Sequence, residues 1–252
     1  MLTTTTIEKL RSMKLTTLAR HFESQLTNPN ISSLSFEERF GILVDIEWTT
    51  RRNNRLKRLI RSAGYSDPNA ALEDIDYLPD RKLDKAMIER LGTCEYIPRH
   101  HNVILLGATG SGKSYIANAL GMTANRNFLT VKYIRLPELL AEFAISRVEG
   151  TYRKTLKAYK SVNLLIIDEW LLTPLKDAEA KDVLELAEGR YKKGSTIFCS
   201  QFDVGGWHEQ IGDPTLADAI IDRIVHEAYK IVIEGTDSMR KRTGIQTERD
   251  AS

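Results

Sequence analysis

Residues 107–114 read Gly107-Ala108-Thr109-Gly110-Ser111-Gly112-Lys113-Ser114, which satisfies GxxxxGK[ST] in full. No other feature constrains the fold as tightly, because this pattern works only where a buried strand ends and a helix begins. Here the apolar run 103–106 precedes it and a helix-length segment, 115–124, follows. The glycines let successive backbone N–H groups turn inward around phosphates, and the helix N-terminus adds partial positive charge. Lys113 is expected to reach the β- and γ-phosphates and the Ser114 hydroxyl to ligate Mg²⁺. Tyr115 opens the helix and completes the binding set. The expected cofactors are ATP and Mg²⁺.

Four further apolar runs follow at 129–134, 164–167, 196–199 and 230–233, with helix-length segments between them. Strands of this kind alternating with helices predict an α/β fold whose five-stranded parallel sheet is covered on both faces. The run 164–167 ends in Asp168-Glu169. An acid delivered at the carboxyl end of a strand matches a Walker B element, with Asp168 holding Mg²⁺ directly or through water. Glu169 is then placed to orient or deprotonate an attacking water. A kinase for small molecules has no use for such a base, whereas a hydrolase does. The run 196–199 ends in Ser200-Gln201, and either residue is expected to face the nucleotide crevice.

The first 65 residues read as helical. Ile7, Leu10, Leu18, Phe22 and Leu26 recur at a 3.6-residue period, and Asn28-Pro29-Asn30 breaks the pattern. Ser35 and Glu38 have capping-box spacing for a second helix reaching Ala63. Residues 66–95 read as a connector with a short helical turn at 70–74 and a helix at 81–91. With 252 residues, the chain suits one core domain plus a small appendage. No apolar run approaches the roughly 18 residues of a membrane span. The two cysteines, Cys94 and Cys199, have no metal-ligand spacing, and the N-terminus does not read as a secretory signal. A reducing, cytoplasmic setting and no membrane partner are expected.

Lys plus Arg number 36 against 34 for Asp plus Glu, a net charge of +2 that averages over two basic clusters. Arg51, Arg52, Arg55, Lys57, Arg58 and Arg61 occur in 51–61 without an acid. At about 100° per residue Arg51, Arg55 and Arg58 share one arc, and Leu56, Leu59, Ile60 and Ala63 another. That basic arc is either a solvated face or a phosphate-binding one. Arg147, Arg153, Lys154, Lys157 and Lys160 face only Glu149 in 147–160, with Tyr152 and Tyr159 interleaved.

Together these residues resemble the AAA+ ATPases, within them the DnaA/DnaC-like clade, and most specifically the IstB family of insertion-sequence helper ATPases. The resemblance spans about residues 1–242. It rests above all on Ser200-Gln201-Phe202, Trp207-His208-Glu209, residues 211–220, Asp222-Arg223, Gly235 and Ser238-Met239-Arg240. It implies a P-loop AAA+ core (96–242) without a full lid domain. A small all-α N-terminal domain (1–65) and a connector (66–95) precede it, and a flexible tail (243–252) follows. By position it implies a sensor 1 role for Gln201 and an arginine-finger role for Arg223. Arg240 falls near a sensor 2 arginine, or belongs to a solvated basic tail. A finger acts on nucleotide held by the neighbouring subunit, so a homo-oligomer with nucleotide between protomers is implied. In this clade the 147–160 segment lies near the element lining the nucleic-acid channel. The implied partners are a cognate transposase and double-stranded DNA, bound largely without regard to sequence. The implied function is ATP-dependent presentation of target DNA, with hydrolysis driving disassembly. A DnaC-like helicase loader is the alternative, and a nucleotide-gated module that hydrolyses little is a third class. The chain departs from the family at Trp170-Leu171-Leu172, where an apolar residue and Gly commonly follow the carboxylates. It departs again at Cys199, where Thr is frequent.

Overall fold

The computed structural model of the protein describes residues 2–31, 33–234 and 239. Two compact units are formed, Met1–Arg58 and Leu59–Ser252, and the division falls inside one helix. The expected front-end boundary at residue 65 therefore moves to 58.

In the first unit, α1 (Leu2–Ser12) and α2 (Thr16–Thr27) replace the single helix expected from the apolar period. Lys14 adopts a left-handed conformation (φ 60°) and breaks the run ahead of Asn28. The period survives the break because Leu10 on α1 and Leu18, Phe22 and Leu26 on α2 line one groove with Leu43. α3 (Phe36–Ala63) starts with the anticipated capping box. The Ser35 N–H donates to Glu38 Oε2 (2.8 Å), and the Glu38 N–H donates to Ser35 Oγ (3.2 Å). Buried Glu47 accepts from the Leu18 N–H (2.8 Å) and from Arg51 Nε (2.6 Å).

The second unit holds a five-stranded sheet ordered β2-β3-β4-β1-β5, its four neighbour pairs all parallel. The elements are α4 (Lys85–Gly92), β1 (Asn102–Gly107), α5 (Lys113–Arg126), β2 (Val131–Arg135), α6 (Leu136–Val148), α7 (Tyr152–Lys160), β3 (Leu164–Trp170), α8 (Asp177–Arg190), β4 (Ser195–Ser200), α9 (Val204–Ile211), α10 (Pro214–Val225) and β5 (Ala228–Ile233). All five expected strands are present. Alternate residues serve opposite cores, which is why these strands read as unbroken apolar runs. Val103, Leu105, Leu164, Ile166 and Ile197 pack with α4 and α5. Ile104, Leu106, Leu165, Ile167 and Phe198 pack with α6 to α10.

Residues 66–95 are not a connector. Ile75, Leu83, Ile88, Leu91 and Cys94 are buried in the core on the α5 face. Arg81 stands in a 3₁₀ turn (Pro79–Arg81), and the helix expected from residue 81 starts at Lys85, where Asp84 accepts from the Met87 N–H (3.0 Å). The tail 243–252, the domain limit at 242 and Arg240 lie outside the described residues.

Arg190, at the end of α8, is only 3% exposed and has no carboxylate among its bonding partners in the described residues. Burial pulls its guanidinium down to about 9. What holds the cation are the carbonyls of Tyr159, Lys160, Val162 and Ser195 and the Thr196 hydroxyl, so it joins α7 to the first residues of β4. Arg190→Met should lower unfolding stability by about 3–5 kcal/mol, because the carbonyls are left buried without donors. Urea denaturation followed by Trp fluorescence measures this; an unmoved midpoint would remove the residue from the stability argument.

Candidate nucleotide-binding site

β1 delivers the glycine-rich loop at the carboxyl edge of the sheet, and α5 leaves from it. Two glycines have no substitute. A Cβ on Gly107 would lie 2.6 Å from the Ile233 carbonyl oxygen. Gly112, at the N-cap of α5, has φ 95°, and its Cβ would lie 2.9 Å from Arg81 Nη2. The loop carbonyls are held from outside the loop as well as within it. Gly110 O accepts from the Met239 N–H (2.9 Å) and Ser111 O from Arg81 Nη2 (2.8 Å). Lys113 Nζ donates to Gly107 O (2.6 Å) and Ala108 O (2.8 Å). Burial holds the Lys113 ammonium below its usual range, and Cys199 and Asp168 nearby work the other way. Ala108 and Thr109 form the exposed tip.

A cavity of about 510 Å³ runs from Lys113 and Ser114 past Arg81 to Ser66, Asp76 and Asn118. Its volume falls in the range of small-molecule sites. Tyr115 lines it too, and its hydroxyl accepts from the Ala71 N–H (3.3 Å). Asn118 Oδ1 and Ser111 Oγ are buried without a hydrogen-bond partner among the described residues. Together with the glycine cradle, these waiting polar atoms fit a nucleotide with a phosphate chain. The Ser114 hydroxyl and the Asp168 carboxylate are the hard oxygen donors that suit Mg²⁺.

The two carboxylates after β3 stand in different surroundings. Asp168 is 6% exposed; its Oδ2 accepts from the Tyr133 hydroxyl and its Oδ1 from the Glu169 N–H, both at 2.8 Å. Glu169 has φ 54° and pairs with Arg135 at 2.8 Å. Where the family commonly has an apolar residue and Gly after the carboxylates, this chain has buried Trp170 and Leu171. Leu171 is also left-handed, with φ 53°, and the β3–β4 register is irregular between Ile167 and Trp170. The Trp170 ring meets Phe198 edge-on at 4.6 Å and Trp207 at 5.7 Å. Cys199 is fully enclosed, and burial pushes its thiol up.

Ser200 and Gln201 stand in different surroundings. The Ser200 hydroxyl donates to Trp170 O (3.2 Å) and accepts from Trp207 Nε1 (3.1 Å) and the Phe202 N–H (3.2 Å). Gln201 is exposed, one step beyond the Leu106–Ser200 pair and so beside the start of the loop. Arg223 lies elsewhere. It bonds Ala219 O (2.7 Å) and Glu188 (3.0 Å) on the far side of the sheet, where Asn102, the first residue of β1, holds Ile224 O (2.9 Å).

The basic residues divide. Arg51 is tied to Glu47 and to Lys14 O (2.9 Å), and Arg147 to buried Asp182 and the Tyr152 ring. Arg52 stands over the Trp48 ring at 5.1 Å, and Arg55 also has a partner. Arg58 is exposed, as are Arg153, Lys154 and Lys157 on α7, whose Leu156 and Tyr159 face the core. Arg81, Tyr133, Asn118 and Arg135 escaped sequence reasoning. Each enters the site through contacts between distant segments, and none belongs to a motif.

Strand order, loop and Walker B acid define a P-loop ATP-binding protein with the AAA+ fold. The profile of the IstB-like ATP-binding proteins matches residues 8–247. The insertion sequence ATP-binding protein y4pL of Sinorhizobium fredii is 40% identical over 241 residues, 96% of this chain and 98% of that one. The insertion sequence IS21 ATP-binding protein of Pseudomonas aeruginosa is 28% identical, covering 95% and 91%. Among solved structures, the crystal structure of the DnaC helicase loader superposes with a TM-score of 0.57 at 16% identity, covering 66% of this chain and 97% of that one. The chain belongs to the IstB-like ATP-binding protein family.

Arg81→Met should weaken ATP and ADP binding alike by roughly 10–100-fold, the cost of removing a charge-assisted bond that holds the loop. Titration with a fluorescent ATP analogue checks this, and unchanged affinity would rule the arginine out as a loop support.

Proposed function

We propose that the protein is a Mg²⁺-dependent ATPase that assembles on double-stranded DNA and assists a transposase in choosing and holding target DNA. The observation that carries this reading is the division of the site. Lys113, Ser114, Asp168 and Glu169 gather at one edge of the sheet, while Arg223 is held at the other. An arginine that cannot serve its own loop is suited to serve a neighbour's. Membership in a family whose relatives are named for insertion sequences supports the transposition setting. No described helix is long and apolar enough to cross a membrane. Both cysteines are free and buried, which supports a reducing cytoplasm as the working compartment.

In this mechanism the loop N–H groups and Lys113 hold the phosphate chain, and Ser114 and Asp168 would hold the divalent cation. Mg²⁺, when bound, supplies neutralisation of charge on the β- and γ-phosphates. Glu169 takes the proton of the attacking water once it parts from Arg135. Gln201 orients that water, and Arg223 of an adjoining copy stabilises charge on the transferred group. Phosphate contacts fall to Arg58, Arg153, Lys154 and Lys157 ahead of Arg51 and Arg147, which are committed internally. A helicase-loader role is the second reading, favoured by the likeness to DnaC.

Duplex DNA should change both the ATPase rate and the particle size, seen by phosphate release and by sedimentation; no response in either would sink the reading. Glu169→Gln should retain ATP and lengthen the life of the DNA complex. Rapid decay of that complex would deny the residue its assigned role. A cognate transposase should accelerate ATP-dependent release from DNA, whereas stimulation by a replicative helicase instead would favour the second reading.

Changing Arg153, Lys154 and Lys157 together to Gln should weaken binding to all duplexes alike. The slope of log affinity against log salt should fall by about 0.9 for each phosphate no longer neutralised. An unchanged slope would place the DNA elsewhere.

A further inference from the structure

Tyr133 on β2 and Asp168 on β3 lie on adjacent strands. The register Ile134–Ile167 and Arg135–Asp168 puts Tyr133 one diagonal step from the acid on the same face. Its hydroxyl donates to Asp168 Oδ2 at 2.8 Å, while Oδ1 accepts the Glu169 N–H. The terminal torsion of an aspartate is broad, so a carboxylate without fixed donors swings. Here two donors fix its plane. Behind Tyr133, the Ser66 hydroxyl borders the phenol oxygen and accepts from Asn118 Nδ2 at 2.7 Å. Ser66 and Asn118 both line the nucleotide cavity. Asn118 is 1% exposed, and its Oδ1 is an acceptor without a partner among the described residues. A line of polar groups thus runs from the cavity wall to the acid expected to hold the cation.

We propose that Tyr133 is a positioning residue that orients Asp168 for the divalent cation, and that Asn118 and Ser66 transmit the state of the cavity wall to it. This rests on the nucleotide-site reading given above. Occupancy of the cavity supplies Asn118 Oδ1 with a donor, which steadies the amide, then the serine, then the phenol. Removing an outer partner of a metal ligand commonly costs 10–100-fold in metal affinity. The effect belongs to the cation-dependent part of nucleotide binding alone.

Tyr133→Phe separates this role from packing, because the ring stays and only the hydroxyl goes. The measurement is the affinity for a fluorescent ATP analogue as Mg²⁺ is titrated, with a parallel series in EDTA and thermal melting of the ligand-free protein. The variant should need about tenfold more Mg²⁺ to reach half of the tight-binding state, with EDTA affinity and melting close to wild type. Ser66→Ala should shift the same Mg²⁺ midpoint and add nothing further in the Tyr133→Phe background. An unmoved midpoint in Tyr133→Phe, or an equal weakening with and without Mg²⁺, overturns the positioning role. Additive shifts remove Ser66 and Asn118 from the line. Wild-type protein that bound no nucleotide would instead overturn the site reading, and this inference with it.

Discussion

A loop that offers its backbone N–H groups to a ligand has to find partners for the carbonyls facing away, since a buried unpaired carbonyl is costly. Here the partners come from three directions. Lys113 covers Gly107 and Ala108, Arg81 covers Ser111, and the Met239 N–H covers Gly110. The first belongs to the motif, the second precedes the sheet, and the third follows it. The loop's shape is therefore a property of the whole second unit. This explains why residues 66–92 are folded into that unit instead of strung ahead of it. Arg81 must be delivered to the loop, and burial of Ile75, Leu83, Ile88 and Leu91 fixes the turn that delivers it. The bond from the Glu234 N–H to Arg81 O (3.0 Å) ties the same turn to the end of β5.

Lys113, Ser114, Asp168 and Glu169 were legible in the sequence because each sits at a strict spacing within a strand, loop and helix context. The five strands were legible because both faces are buried, which writes them as apolar runs. Their ends were not. Asn102 and Ser195 belong to strands but are polar, and they hold neighbours: Asn102 holds Ile224, and Ser195 holds Tyr96 and Ile97. Tyr133 was illegible for a different reason. It reaches Asp168 only because β2 pairs with β3, and a run of apolar residues carries no record of its neighbour. The break at Lys14 was hidden because the apolar residues on both sides of it face one groove.

Charge counting fails in the same way. A guanidinium in a sequence is a unit of positive charge, but the structure shows which units already have partners. Arg51 closes the first unit on Glu47, Arg147 neutralises Asp182, and Arg190 substitutes for a row of backbone donors. Buried or half-buried pairs of this kind leave little field outside. The exposed cations of the two clusters include Arg153, Lys154 and Lys157 on α7 and Lys57, Arg58 and Arg61 on α3. A net charge of +2 records neither set.

Glu169 shows how the chain accommodates a residue that breaks a local rule. A left-handed backbone costs a side-chain-bearing residue about 1–2 kcal/mol. The chain meets that cost twice in close succession, at Glu169 and again at Leu171. The compensation lies on either side. The Glu169 N–H is given to Asp168, and Trp170 and Leu171 are driven into the core against Phe198 and Trp207. The bend turns the glutamate out of the sheet, away from Asp168 and toward Arg135. Two adjacent carboxylates are thereby kept from sharing one environment: one enclosed and hydrogen-bonded, the other solvent-facing and ion-paired. The ion pair lies in water and is screened by salt, so it is weak. A restraint of that kind orients the carboxylate and is easily released, whereas the backbone bend that put it there is fixed by the core.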